Sequence, residues 1–212
     1  MLLRTPPYTC LLAICCSMLI FTACKREPIA PDDYQTFHLP ALANEIFSPY
    51  LNEVRIYRDS ASGVYDTAIC YRVDRGFIKS TYGDKVLFEE EYFSMNYYHS
   101  YYSNVFYYSS RLAIHSDNEM YFNISENGQA YLMRFPLVVG DSISNGNTST
   151  YSVLKAFYPN IVIGDKVLED VYFIKLNNMS SRMGSDADYY FAKNRGIVAI
   201  REYQTNKLWV LQ

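Results

Sequence analysis

From Tyr50 to its C-terminus the chain is a succession of short runs of β-branched and aromatic residues, nearly all bounded by glycine, asparagine, aspartate or serine. Side chains of this kind suit a pleated, half-buried surface, and the bounding residues are those that turn a chain back on itself. Val54–Arg58 and Val64–Val73 flank the hairpin loop Asp59-Ser60-Ala61-Ser62-Gly63, and Phe77–Tyr82 and Lys85–Phe88 flank the two-residue turn Gly83-Asp84. Tyr107–His115, Met120–Ser125 and Gln129–Phe135 follow, then Thr150–Phe157, Ile161–Ile163 and Leu168–Leu176, and last Tyr189–Lys193, Gly196–Arg201 and Lys207–Leu211. No segment sustains a 3.6-residue period, and no solenoid-type repeat is present. The expectation is an all-β domain over residues 45–212, an antiparallel meander forming a half-barrel, barrel or sandwich. At most a short helical turn, at Ala41–Ile46, precedes it.

The same runs account for an unusual composition of 22 Tyr and 12 Phe against one Trp. Half the chain is hydrophobic and 19% is charged, enough for a core. The formal net charge of −3 excludes a nucleic-acid binder that works by neutralising phosphates. The densest aromatic stretch runs from Tyr92 to Tyr108. If the chain reverses near His99-Ser100, Tyr97 faces Tyr102 and Phe93 faces Phe106 across the ladder. Two readings follow. Tyr97, Tyr98, Tyr101 and Tyr102 form a platform for a lipid, glycan or protein partner, with their hydroxyls as polar handles. The plainer reading is a two-sided sheet whose tyrosines pack under loops and neighbouring strands.

The N-terminus carries one charge, Arg4, before an apolar run from Cys10 to Phe21. That run is too short to span a bilayer and suits the apolar core of a secretory leader. It ends in Phe21-Thr22-Ala23-Cys24, followed at once by Lys25-Arg26-Glu27. Small residues before a cysteine at this place resemble the lipobox of bacterial lipoproteins, although Phe21 stands where an aliphatic residue is usual. The resemblance implies a signal peptide over residues 1–23, removed during maturation. It also implies a diacylglycerol thioether and an acylated amino group on Cys24. Lys25 rather than Asp after the cysteine resembles an outer-membrane address, on either its periplasmic or its outer face. Residues 24–44, with Pro28, Pro31 and Pro40, read as an extended tether. Of the five cysteines, Cys10, Cys15 and Cys16 leave with the leader and Cys24 carries lipid. Cys70 alone remains, in an apolar run that makes it a small buried hydrophobe, so neither a disulfide nor a cysteine metal site is expected.

A wider pattern lies in the second half. Phe135-Pro136-Leu137-Val138-Val139-Gly140-Asp141 is followed by Ile163-Gly164 and Leu168-Glu169-Asp170-Val171, then by Tyr189-Tyr190-Phe191-Ala192-Lys193-Asn194-Arg195-Gly196-Ile197-Val198. This order resembles a group of uncharacterised lipoproteins common in the Bacteroidota, distantly similar to the lipoprotein-carrier half-barrel. The resemblance implies a curved sheet and an envelope address, and it transfers no chemistry. Asp59-Ser60-Ala61, Asp66-Thr67-Ala68 and Asp141-Ser142-Ile143 resemble bacterial O-glycosylation sites in such proteins, making Ser60, Thr67 and Ser142 candidates. Asp-Ser is also ordinary turn chemistry.

Catalytic constellations are missing. His38, His99 and His115 lack a second ligand at metal spacing, and HExxH, P-loop, GxGxxG and GxSxG motifs are absent. Ser152-x-x-Lys155 and Ser116-Asp117-Asn118 imitate a penicillin-recognising enzyme in reversed order, without KTG. Glu89-Glu90-Glu91 reads as a solvated strand edge that blocks strand addition. Gly184-Ser185-Asp186-Ala187-Asp188 has too few ligands for calcium and reads as a surface loop. The expectation is a non-enzymatic, lipid-anchored envelope protein without metal or cofactor that binds a hydrophobic, glycan or protein partner. The alternatives are a hydrolase using a carboxylate pair around Asp186 or Asp188, and a structural subunit of an outer-membrane assembly.

Overall fold

The path of the chain dictates a curled sheet. The computed structural model describes residues 34–47, 51–100, 110–115, 119–125, 129–144, 150–178 and 186–212, with backbone alone for 110–131. Gln35–Gln212 is one compact unit, distinct from Met1–Tyr34. Its strands are β1 (Gln35–Phe37), β2 (Val54–Asp59), β3 (Tyr65–Tyr82), β4 (Lys85–His99), β5 (Ser110–His115), β6 (Glu119–Ser125), β7 (Gln129–Phe135), β8 (Ser142–Ser144), β9 (Thr150–Ile163), β10 (Lys166–Asn178), β11 (Ala187–Ala192), β12 (Gly196–Glu202) and β13 (Lys207–Leu211), with one helix, α1 (Ala41–Ile46). The sheet order is β7-β6-β5-β4-β3-β2-β13-β12-β11-β10-β9-β8, antiparallel throughout, and β1 adds to β4 in parallel. β7 and β8 thus lie at opposite edges, yet residues 136–141 alone connect them. Six residues span at most about 20 Å, whereas a flat sheet of this order would separate its edges by about 50 Å. The sheet therefore curls until β7 packs against β8 and β9 without pairing to them, and it does not close into a barrel.

Turn chemistry lies where the sequence puts it. β3 ends at Tyr82 and β4 starts at Lys85, with Gly83 at φ 60° between them. In the β2–β3 loop the Asp59 carboxylate accepts from the Ser62 amide at 3.0 Å and the Leu208 amide at 3.2 Å. In the β7–β8 connection Arg134 donates to Asp141 at 2.8 Å, and Gly140 and Asp141 exchange hydrogen bonds with Leu154 on β9.

The core is the inside of the curl. Trp209, Phe135, Phe191, Leu132 and Ile174 are fully buried there. β11 and β12 are buried on both faces, which matches the unbroken apolar run Gly196–Ile200. The tip of the β9–β10 hairpin lies against β13 and the β2–β3 loop, where Gly164 meets Val210 and Ser60.

Several expectations need correction. The compact unit begins at Gln35 rather than at residue 45, because Leu39, Ala43, Ile46 and Phe47 are buried in the core. Only α1 was visible in that stretch; the three residues of β1 are too few to show a period. The runs Val64–Val73 and Phe77–Tyr82 are one strand, since Asp74, Arg75 and Gly76 pair with Ser94, Phe93 and Tyr92. β9 likewise runs through Pro159 without a break. Phe93 lies opposite Leu112 rather than Phe106; among the described residues β4 and β5 pair over Phe93–Met95 and Ser110–Leu112. Glu89-Glu90-Glu91 is no edge: β4 carries β3 on one side there and β1 on the other at Glu89 and Glu90. Glu91 is buried, accepting from the Leu39 amide at 3.1 Å and from Arg75 at 2.7 Å.

Candidate functional site

Strand alternation sorts β2, β3 and β4 into two faces with different chemistry. Inside lie Arg55 and Tyr57 from β2, Asp66, Ala68 and Cys70 from β3, and Met95, Tyr97 and His99 from β4, with Ala68 opposite His99 and Cys70 opposite Tyr97. Outside lie Val54, Ile56, Ile69, Tyr71 and Tyr98.

The inner face carries a polar network. Arg55 pairs with Glu53 at 3.1 Å, donates to the Arg195 carbonyl at 2.7 Å and stacks over the Tyr97 ring. Tyr97 donates to Glu53 at 3.0 Å, and Tyr57 donates to the Ile197 carbonyl at 3.0 Å. His99 Nδ1 meets Asp66 Oδ2 at 2.5 Å, the two side chains being 2% and 3% exposed. The Tyr57 and His99 rings stack. Burial works against the Arg55 charge, but Tyr57, Tyr97 and Glu53 outweigh it and hold its pKa above the ordinary value. Burial drives the Tyr57 and Tyr97 hydroxyls and the Cys70 thiol upward, so all three stay protonated at neutral pH.

This network lines a partly open pocket of about 20 Å³ bounded by Arg55, Tyr57, Met95, Tyr97, His99 and Ile197. Such a space holds one water and no acyl chain or sugar. Ser100 donates to Asp66 Oδ1 at 3.3 Å. The network ties β2, β3 and β4 to one another and to Arg195 and Ile197 at the start of β12. Among the described residues no group of His, Cys, Asp or Glu is disposed to hold a metal, and no helix is long and apolar enough to cross a membrane.

Asp186 and Asp188 do not form a matched pair: Asp186 is exposed, whereas Asp188 is buried and accepts from Tyr203 at 2.6 Å. That hydrogen bond, with burial, pushes the Tyr203 hydroxyl up to about 12. Ser152 is buried in β9, away from any helix start. Of the glycosylation candidates, Ser60 is exposed in the β2–β3 loop, Ser142 is exposed at the start of β8, and Thr67 is half-buried in β3 beside the buried Asp66. Cys24 lies outside the described residues, as do Tyr101, Tyr102 and Ser116-Asp117-Asn118.

The aromatic platform is divided. Tyr97 points inward, but Tyr98 is 58% exposed. Across the outer face Tyr98 stands opposite Ile69, and Ile69 opposite Val54, which is 55% exposed. Ile56 and Tyr71, both exposed, widen this row along β2 and β3. Sequence reading located Tyr98 but missed its neighbours, because Val54, Ile56 and Ile69 look like core residues until the register is known. It also missed the inner network, whose one local sign is the i, i+2 placing of Glu53 and Arg55. No family model matches the chain, and neither a curated protein nor a solved structure does.

Proposed function

We propose that this is a lipid-anchored protein of the outer membrane that performs no chemistry and binds a hydrophobic, glycan or protein partner. The binding surface is the outer face of β2, β3 and β4. The exposed cross-strand row Val54–Ile69–Tyr98 carries this reading. Contiguous apolar surface of this kind marks interaction sites in soluble domains, and Tyr98 adds a hydroxyl that can bond a partner. The lipobox supports the anchor, through several acyl chains each contributing about 0.8 kcal/mol per buried methylene.

Mild-detergent purification of the native chain and an Ile69→Asp variant tests the surface. A lipid, glycan or protein that co-purifies with the native chain should be lost from the folded variant; an unchanged set of companions rejects this face. Cys24→Ala tests the anchor separately. The expected result is altered processing and release from membranes, and unchanged membrane retention rejects it.

A further inference from the structure

We propose that the tip of the β3–β4 hairpin rests in the headgroup layer of the membrane to which the chain is anchored. The proposal rests on acylation of Cys24.

The hairpin outruns its neighbours. β2 pairs with β3 only as far as Ile69, β5 meets β4 at Phe93–Met95, and β1 at Phe88–Glu90. From Thr81 to Leu87 the two strands have only each other among the described residues. A lone two-stranded ribbon in water is marginal and ordinarily polar. Here it carries Tyr82, 82% exposed, at the turn, with Leu87 also exposed. Lys85 stands opposite Tyr82, Asp84 sits in the turn between them, and Lys79, three residues back along β3, stands opposite Glu89. A tyrosine and a leucine beside Lys85 match a membrane interface, where the ring enters the headgroup region and the ammonium reaches phosphate.

Chain connectivity argues for a bilayer rather than a protein as the occupant. Cys24 is joined to Gln35 by residues 25–34, ten residues that reach at most about 35 Å. Gln35 pairs with Phe88, directly beside the ribbon. The tether thus joins the folded unit beside the hairpin tip. Ile69 lies thirteen residues up β3 from Tyr82, about 40 Å along the strand. One end of the hairpin then faces the bilayer, and the apolar row at the other end is held clear of it.

The test uses the full acylated chain in vesicles of phosphatidylethanolamine and phosphatidylglycerol that include acyl-brominated phospholipid. Trp209 is buried, so its emission is a fixed background. A Tyr82→Trp variant should lose most of its added emission to the brominated lipid, and a Tyr98→Trp variant should keep its own. Leu87→Trp gives the same reading should Tyr82→Trp fail to fold, as judged by far-UV circular dichroism. An acylated, vesicle-bound chain whose Tyr82→Trp and Leu87→Trp signals are unquenched overturns the proposal and leaves the anchor standing. Equal quenching at residues 82 and 98 also overturns it. A mature chain with no acyl group on Cys24 by mass spectrometry overturns the anchor and the tip together.

Discussion

At the scale of single residues, the inner face of β2–β4 sets the largest stakes. His99 and Asp66 are both withdrawn from water, so removing one leaves the other's charge or hydrogen-bonding capacity in a low-dielectric interior. Breaking such a buried pair costs about 3–5 kcal/mol, far more than a surface ion pair contributes. Asp66→Ala should lower the denaturant midpoint by a corresponding amount with little change in slope; a midpoint within error of the native one would show that the pair does not hold the strands. Gly196 is a second sensitive point. It sits at φ 64°, and an added Cβ would lie 2.7 Å from Arg55 Nη1. The left-handed conformation costs an L-residue about 1–2 kcal/mol, and the intruding methyl also pushes the guanidinium from the Arg195 carbonyl. Gly196→Ala is therefore expected to destabilise by at least that amount in the same assay. By contrast Tyr98→Ser, on the exposed face, should change stability by less than about 0.5 kcal/mol.

At the scale of elements, β1 and α1 act as a strap from β4 to the β11–β12 turn, where Asn194 donates its amide to the Glu45 carbonyl and Phe47 meets Phe191 edge-on. Glu91 fastens its first end. Burial alone would raise this carboxyl, but hydrogen bonds from Arg75 and the Leu39 amide, with the Arg75 charge, hold it below the usual glutamate range. A depressed folded-state pKa contributes stability that is fully present above the unfolded value of about 4.3 and lost as pH falls through the folded value. Acidification below about pH 4 should therefore loosen the strap. Hydrogen-exchange protection at Leu39 should fall over that range in the native chain, and Glu91→Gln should flatten the dependence; protection independent of pH in the native chain would contradict the assignment. None of this was legible in Glu89-Glu90-Glu91 as a sequence. Three adjacent acids signal solvent, and only the parallel addition of β1, a contact with no local pattern, buries the last of them. The loops were legible for the opposite reason: Asp59, Gly83 and Gly140 act within a few residues of themselves.

At the scale of the whole molecule, the fold depends on a join that spans almost the entire unit. β2–β7 and β8–β13 are two meanders whose backbone ladders, among the described residues, join only where β13 meets β2, Trp209 to Leu211 against Asp59 to Tyr57. The class of fold could be read from runs and turns, but this pairing could not, because no short-range pattern records which strand the last one joins. The same ignorance hid the outer row, whose members become neighbours only through register. The energetics make the join testable. Trp209, Val210 and Leu211 are all buried, and full burial of such side chains contributes roughly 1.5–3 kcal/mol each. Their loss, together with the ladders to β2 and β12, approaches the 5–15 kcal/mol or so that holds a typical domain together. Deleting residues 207–212 should therefore abolish the cooperative thermal transition. Deleting Met1–Tyr34, which lies outside the compact unit, should leave that transition in place. A chain that lacks β13 and still melts cooperatively near the native midpoint would mean that the meanders are held by side-chain packing where β7 lies against β8 and β9, and that the β2–β13 ladder is dispensable.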